Sequence, residues 1–174
     1  VVKTDSGIEK FSDFKGKKFA IGRPGGNAGR VTEALLKAHG INMEKEANAQ
    51  YLKYTQAFDE MSNGTMDGTL VWGGIPQSGV DNASRTMSLR FVSPEPNKLE
   101  DFRKLITNGR YYVFQKVPAD TLKKAYDGRV EVTSDIYFWT FPFMFMVNDD
   151  MTEDVAYDIT KTLWSNIAEV NKTS

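Results

Sequence analysis

The stretch from Lys17 to Leu36 constrains the fold more than any other part of the sequence. It begins with the apolar run Phe19-Ala20-Ile21, which is typical of a strand covered on both faces in a parallel sheet. A glycine-rich turn follows at 22–29. Apolar residues then recur at helical spacing, at Val31, Ala34, Leu35 and Ala38. This strand, turn and helix would bring free backbone N–H groups to the carboxyl edge of a sheet, where an anion can bind.

The glycine-rich turn matches neither common phosphate-binding motif. It lacks the Gly-Lys-Ser/Thr ending of a nucleotide-hydrolysing P-loop, and its spacing differs from G-x-G-x-x-G. The turn is therefore either an anion or carboxylate site or a purely structural connection. Arg30 favours the anion site, because a cation in the first helical turn opposes the helix dipole unless it faces a bound anion. A solvated surface arginine is the alternative, and Asn27 is the expected N-cap.

Strands and helices alternate through the first half of the chain. Further strands are expected at Ala49–Tyr54 and Asp67–Trp72, with a short helix between them. This alternation predicts an α/β lobe of three layers, with a mainly parallel sheet and right-handed crossovers. A second glycine turn, Gly73-Gly74, leads into a helix with Pro76 in its first turn. The two glycine turns are expected to lie side by side at one edge of the sheet.

Two aromatic side chains are candidates for the wall of this site. Trp72 ends its expected strand and would line the crevice, although a tryptophan in the core is the structural alternative. Tyr112 would offer its hydroxyl to a carboxylate while its ring packs, and a half-buried structural tyrosine is the alternative there.

Charge and cysteine content exclude several classes of function. With 22 basic and 23 acidic residues the net charge is −1, so the chain has no general attraction to nucleic acid or anionic lipid. The absence of cysteine excludes disulfides and thiolate metal sites, and fits either a cytosol or a bacterial periplasm. The longest apolar run, 141–147, is too short to cross a bilayer, so no direct membrane insertion is expected.

Few residues are suited to catalysis. The single histidine, His39, stands at a helix end before Gly40, where it interacts favourably with the helix dipole. The sequence contains no H-E-x-x-H, no G-x-S-x-G and no cysteine nucleophile, and Asp149-Asp150 is explained by helix capping. We therefore predict no catalytic residue, no metal site and no cofactor.

The second half of the chain continues with strands at Ser88–Val92, 111–114 and 128–132, and with a turn at 118–122. A long one-sided helix closes the sequence, with a capping box at Asp150 and Glu153. The strand-like segments at the two ends of the α/β region are expected to cross to a second lobe, to which this final helix belongs.

Several segments of the sequence resemble the TAXI family of TRAP-transporter solute-binding proteins. They are Val1–Ile8, Phe14–Gly22, Arg30–Leu36, Gly73–Pro76 and the tail 145–161. The match is collinear from the first residue to about Val170. Its most particular elements are Arg30-Val31-Thr32 and the Gly-Gly-Ile-Pro turn.

The resemblance implies a type II periplasmic-binding fold, in which two α/β lobes joined by a two-strand hinge close on a ligand. On this basis 1–8 is a hinge strand, 9–140 the ligand-binding lobe, 141–148 the return hinge strand, and 149–174 a helix of lobe one. The chain then looks like a fragment that lacks most of lobe one.

The resemblance also implies a function. Family members capture small carboxylates, such as amino acids and dicarboxylates, for a TRAP-type membrane permease in the periplasm. We therefore expect an extracytoplasmic receptor rather than an enzyme. An ABC-transporter substrate-binding protein, a periplasmic sensor domain and an enzyme built on the same fold are the alternatives.

The family turn usually reads proline-glycine-serine-glycine-threonine before the arginine, and this chain departs from it at 24–30. Two hydroxyl donors are replaced, and Asn27 is the evident substitute. The predicted ligand-binding residues are Gly25, Gly26, Asn27, Ala28, Gly29, Arg30, Trp72, Gly73, Gly74, Ile75 and Tyr112.

Overall fold

Strands and helices alternate along most of the chain, as the sequence predicts. The computed structural model describes the backbone of residues 1–141 and 145–173, and side chains as far as residue 170. The chain divides into two compact units, Val1–Phe141 and Pro142–Ser174. The first unit holds both sheets and every feature of the candidate site.

The main sheet of the described residues has six strands in the order β3-β2-β4-β1-β5-β7. The strands are β1 (Val2–Lys3), β2 (Lys18–Ala20), β3 (Asn48–Gln50), β4 (Gly68–Thr69), β5 (Leu89–Arg90) and β7 (Val130–Glu131). β1 pairs antiparallel with both β4 and β5, and the other pairs are parallel. The fold is therefore a mixed α/β lobe with a mostly parallel sheet.

A separate two-stranded sheet pairs β6 (Val113–Val117) with β8 (Ile136–Thr140) in antiparallel register. The α-helices of the first unit are α1 (Asn27–Ala38), α2 (Met43–Glu46), α3 (Tyr54–Ser62), α4 (Ser78–Ala83), α5 (Leu99–Leu105) and α6 (Ala119–Ala125). Short 3₁₀ turns lie at Thr4–Ser6, Phe11–Phe14, Pro96–Lys98 and Gly109–Tyr111.

Strand β2 shows why the opening stretch dominates the fold. Phe19 and Ile21 belong to one hydrophobic cluster, which includes the inner face of α1. Ala20, between them, belongs to the cluster on the opposite side of the sheet. Because side chains alternate along a strand, β2 is buried on both faces, as its unbroken apolar run predicts.

The carboxyl end of α1 agrees with the sequence prediction, and its amino end differs by one residue. At its carboxyl end Gly40 adopts a φ of +79°, and the N–H of Ile41 donates to the Leu36 carbonyl at 2.9 Å. This confirms the predicted glycine stop. The predicted N-cap is wrong by one residue, because Gly26 occupies the extended N-cap position and Asn27 begins the helix. The Asn27 side chain is engaged elsewhere instead of capping.

Other boundaries also differ from expectation. The observed strands are shorter than predicted, and Tyr54 begins α3 instead of ending a strand. The segment predicted as a turn at 118–122 is the start of α6, whose last turn holds Lys123 and Lys124 where the helix dipole favours cations. Pro76 is predicted in the first turn of a helix, but it precedes α4, which begins at Ser78. Gln77 is the N-cap of that helix, and its side chain accepts from the Val80 N–H at 2.7 Å.

The second unit contains two helices, α7 (Glu153–Ser165) and α8 (Ile167–Thr173), where the sequence predicts one. The break falls at Asn166, and the N-cap of α7 is Thr152. No residue of α7 is buried, and Trp164 is 66% exposed. Of the predicted return strand 141–148, residues 142–144 lie outside the described residues, and 145–148 have no regular secondary structure.

His39 connects the end of α1 to the loop before α5. Its Nδ1 lies 2.7 Å from the Leu35 carbonyl, and its Nε2 accepts from the Glu95 N–H at 3.1 Å. The ring stacks on Phe11 with centroids 4.7 Å apart. Because Nε2 is an acceptor, the ring is neutral with its proton on Nδ1. Burial lowers the pKa of His39 below 6.5, against the opposing effects of the Leu35 carbonyl and the Glu95 charge.

This geometry predicts that folding stability falls as the pH drops below the unfolded His39 pKa of 6.5. As the pH falls, His39 takes up a proton in the unfolded chain before it does so in the folded one. The contribution of neutral His39 to the free energy of unfolding is therefore fully present above pH 6.5, and it decreases as the pH falls from 6.5 to the pKa of the folded state. Urea unfolding at about pH 7.5 and about pH 5.5 measures the effect. His39→Gln should reduce the difference between the two midpoints, and an unchanged difference would contradict the assignment.

Candidate functional site

A recess of about 500 Å³ opens at the carboxyl edge of the main sheet, and we refer to it as the edge recess. Its lining residues follow the ends of β2, β3, β4 and β8. They are Gly22, Arg23, Gly26, Asn27, Ala28, Lys53, Tyr54, Trp72 and Phe141. Because β3, β2 and β4 are parallel neighbours, their carboxyl ends meet at one edge, where α/β folds bind small ligands.

The amino end of α1 forms one side of the edge recess. The turn before it is closed by the Gly26 N–H, which donates to the Arg23 carbonyl at 3.1 Å. No described residue accepts a hydrogen bond from the backbone N–H groups of Asn27, Ala28 or Gly29. These are the donors that a helix leaves unsatisfied at its positive end, and they suit an anion.

Gly22 permits the close packing of this turn. Its φ of +83° lies in the left-handed region, and a Cβ atom built there would approach the Ala28 Cβ to 3.0 Å. A side chain at Gly22 would therefore push the first turn of α1 away from the end of β2.

The Asn27 side chain is held in place by the buried residue Tyr112. Its Nδ2 donates to the Tyr112 hydroxyl at 3.1 Å. Tyr112 is only 7% exposed, and its backbone carbonyl accepts from the Arg103 Nε at 2.8 Å. The Tyr112 ring packs edge-on against Phe102, with centroids 5.3 Å apart. Asn27 is thus a fixed part of the recess wall.

The charge of the edge recess is positive. Arg23 and Lys53 line it, and the lining formed by the described residues includes no aspartate or glutamate. Neither cation forms an ion pair with a residue that the structure describes. Burial raises the pKa of the Tyr54 hydroxyl, and the Trp72 backbone and the Arg23 charge oppose that shift. The Arg23 charge therefore acts on the Tyr54 side chain, which also lines the recess.

A second recess, of about 570 Å³, provides a contrast. Its arginine, Arg90, is already satisfied, because Glu131 accepts from Nη2 and Nε at 2.8 Å. Glu9 lies 3.7 Å from the same guanidinium. The arginine charge there is neutralised within the protein, whereas the cations of the edge recess have no such partner among the described residues.

Three aromatic side chains, Tyr54, Trp72 and Phe141, form the aromatic wall of the edge recess. Trp72 packs edge-on against Trp139, with centroids 4.2 Å apart, and against Phe141 at 5.3 Å. Tyr112 packs against Phe141 at 5.5 Å. The Trp72 Nε1 is buried and has no hydrogen-bond partner among the described residues. An unsatisfied buried donor of this kind is rare in folded proteins.

The structure brings together part of the predicted residue set. Gly26, Asn27, Ala28 and Trp72 line the edge recess, and Tyr112 reaches it through Asn27. Gly25 lies within the same turn, with a φ of +72°.

The remaining predicted residues lie outside the lining. Gly29 is buried against Tyr51, where a Cβ atom would meet the ring at 3.0 Å. Arg30 is exposed on α1. Gly73, Gly74 and Ile75 follow the neighbouring strand β4 as predicted, and they are also exposed.

Sequence reasoning missed Gly22, Arg23, Lys53, Tyr54 and Phe141 as lining residues. A local signal existed for Lys53, which lies just after a parallel strand, where ligand contacts concentrate. No local signal marks Phe141, because it arrives from β8 by tertiary packing.

Among the described residues, no cluster of histidine, aspartate or glutamate could hold a metal ion. His39 lies at the far end of α1, engaged with Leu35 and Glu95. None of the described helices is both long and apolar enough to span a membrane.

Comparison with known proteins gives one positive finding. The model of the NMT1-like family matches residues 1–174, which is the whole chain. Comparison with curated proteins gives no match.

Proposed function

Because this chain belongs to the NMT1-like family, a periplasmic-binding-protein-like family, we propose that it captures a small carboxylate for a TRAP-type membrane transporter. The family indicates periplasmic substrate binding in general, with a transporter as partner, and its members are generally not enzymes. The resemblance described above puts amino acids and dicarboxylates first among the ligands. The proposed location is periplasmic or otherwise extracytoplasmic.

The observation that carries the carboxylate proposal is the composition of the edge recess. Three backbone N–H groups without described acceptors, at 27–29, lie at the positive end of α1. Two cations, Arg23 and Lys53, join them without any acidic residue in the lining. A carboxylate accepts from such donors with charge-assisted hydrogen bonds, which are stronger than neutral ones. A cationic ligand would find no counter-charge in this lining.

We also propose a division of the chain into lobes. Residues 9–140 form the ligand-binding lobe, 1–8 and 141–148 are hinge strands, and 149–174 belongs to lobe one. The absence of any buried residue from α7 supports this division, because an amphipathic helix is stabilised by packing its apolar side on another body. Closure of the two lobes would then exclude water from the bound ligand.

A thermal-shift series tests the carboxylate proposal. In the natural protein that carries this chain, succinate, L-glutamate or a keto acid at about a hundred times its dissociation constant should add roughly 2.7 kcal/mol. Arg23→Ala and Lys53→Ala should each weaken the binding roughly tenfold, because each removes a charge-assisted contact. Lys123→Ala, on the exposed face of α6, is the matched control and should bind normally.

Arg30→Ala distinguishes a site that includes Arg30, as predicted from the sequence, from a site formed by the recess lining alone. Arg30 is exposed and lies outside the recess lining, so its loss should affect binding less than the loss of Arg23. The carboxylate proposal is wrong if no acid stabilises the protein, or if the Arg23 and Lys53 variants bind as tightly as the parent.

A further inference from the structure

Resting on the proposed function, we propose that the edge recess selects carboxylates that carry an aromatic ring and no ammonium group. The chemical class is an aryl-alkanoate. The proposal concerns which carboxylate binds, and it is carried by the aromatic wall and by the absence of acidic groups from the lining.

The aromatic wall is extensive for a recess of this size. Three of the nine lining residues, Tyr54, Trp72 and Phe141, are aromatic. Ligand pockets bind the apolar body of a ligand on such rings and orient it with a few polar groups. An aryl ring packs on aromatic faces through offset or edge-on contacts, which contribute beyond the area that they bury. A purely aliphatic chain lacks that contribution.

The rings of the aromatic wall pack on one another and on neighbouring rings. Trp72 is fixed by edge-on contacts with Trp139, at 4.2 Å and 82°, and with Phe141, at 5.3 Å and 70°. Phe141 is in turn packed on Tyr112. Because these rings already hold one another, binding does not have to order them, and affinity gains from that preorganisation.

The charges of the described lining favour a single carboxylate over the competing head groups. An α-amino acid brings an ammonium group, and the described residues of the lining offer no carboxylate to receive it. A dicarboxylate can place one end at Arg23, Lys53 and the amino end of α1. Its second carboxylate would then face Trp72 and Phe141, where losing water without a partner is unfavourable. A single carboxylate with an aryl group matches both sides of the recess.

The test compares four probes by calorimetry in the natural protein that carries this chain. They are 3-phenylpropionate, succinate, L-glutamate and the neutral alcohol 3-phenyl-1-propanol. We expect 3-phenylpropionate to bind at least roughly tenfold more tightly than each of the others. Tyr54→Leu should weaken 3-phenylpropionate roughly tenfold and should weaken succinate much less, since it removes a ring from the lining and keeps an apolar side chain. Tyr111→Leu, at a tyrosine that is 50% exposed outside the recess, should change neither.

The outcomes separate this inference from the proposed function. If succinate or L-glutamate binds as tightly as 3-phenylpropionate, the aryl-alkanoate inference is overturned and the carboxylate proposal stands. If 3-phenyl-1-propanol binds as tightly as the acid, or if no probe binds, the carboxylate proposal fails and the inference fails with it. The ranking of probes in the parent protein decides the matter even if Tyr54→Leu does not fold.

Discussion

Asn27→Asp is expected to abolish carboxylate binding while leaving the fold intact. The two side chains have nearly the same shape, and a negative charge at the first helical position adds about 0.3–1 kcal/mol of helix stability. The Tyr112 hydroxyl can donate to the new carboxylate in place of accepting from the amide. In the edge recess, however, that charge repels a bound carboxylate by about 4 kcal/mol at about 4 Å.

Calorimetry with the acid that binds best should therefore show a loss of about a hundredfold or more. Thermal unfolding without ligand should be unchanged or slightly raised, which separates lost binding from lost structure. Asn27→Ser is the matched neutral control and should retain most of the affinity. Normal binding by Asn27→Asp would show that no anion lies against the amino end of α1.

Phe102→Ala is expected to cost about 3–5 kcal/mol of folding free energy, the largest stability effect that we predict. Phe102 is fully buried, and its ring packs on Tyr112 at 5.3 Å and on Phe114 at 5.8 Å. Removing it leaves a cavity under the residue that holds Asn27. Urea unfolding in the absence of ligand measures the loss, and carboxylate affinity should fall as well because Tyr112 loses its support.

Leu105→Ala on the same helix is the comparison. Leu105 is 39% exposed, so its truncation should cost less than about 1 kcal/mol. Equal losses from the two substitutions would mean that α5 does not bury the face that contains Phe102.

The sequence predicts best where a pattern is local. The apolar run around Phe19 and the helical stripe from Val31 specify β2 and α1, because burial on two faces and burial on one face leave different periodicities. Gly40 marks the end of α1 for an equally local reason, since its φ of +79° suits glycine. The glycine-rich turn and Trp72 each follow a strand of the sheet, β2 and β4.

Strand limits and strand order could not be read in this way. β1, β4, β5 and β7 contain two residues each, too few to show a period of two. The positions of Phe141 and Tyr112 next to the turn depend on tertiary contacts between segments far apart in sequence. The sequence predicts the wrong N-cap because the Asn27 side chain could bond either to the backbone N–H groups of the first helical turn or to a distant residue. In the folded chain it bonds to the Tyr112 hydroxyl.

The central position of β1 has a consequence for how the chain acquires its structure. β1 comes before every other strand in this sequence, yet its partners Gly68 and Arg90 are made much later. The half containing β2, β3 and β4 can assemble early from neighbouring segments, while the half containing β5 and β7 can join it only through β1. During synthesis β1 therefore has no partner in the sheet until β4 has been made, and its second partner, β5, follows later still. Such long-range closure slows folding, and it makes β4 the edge most exposed to wrong pairing until β1 is inserted.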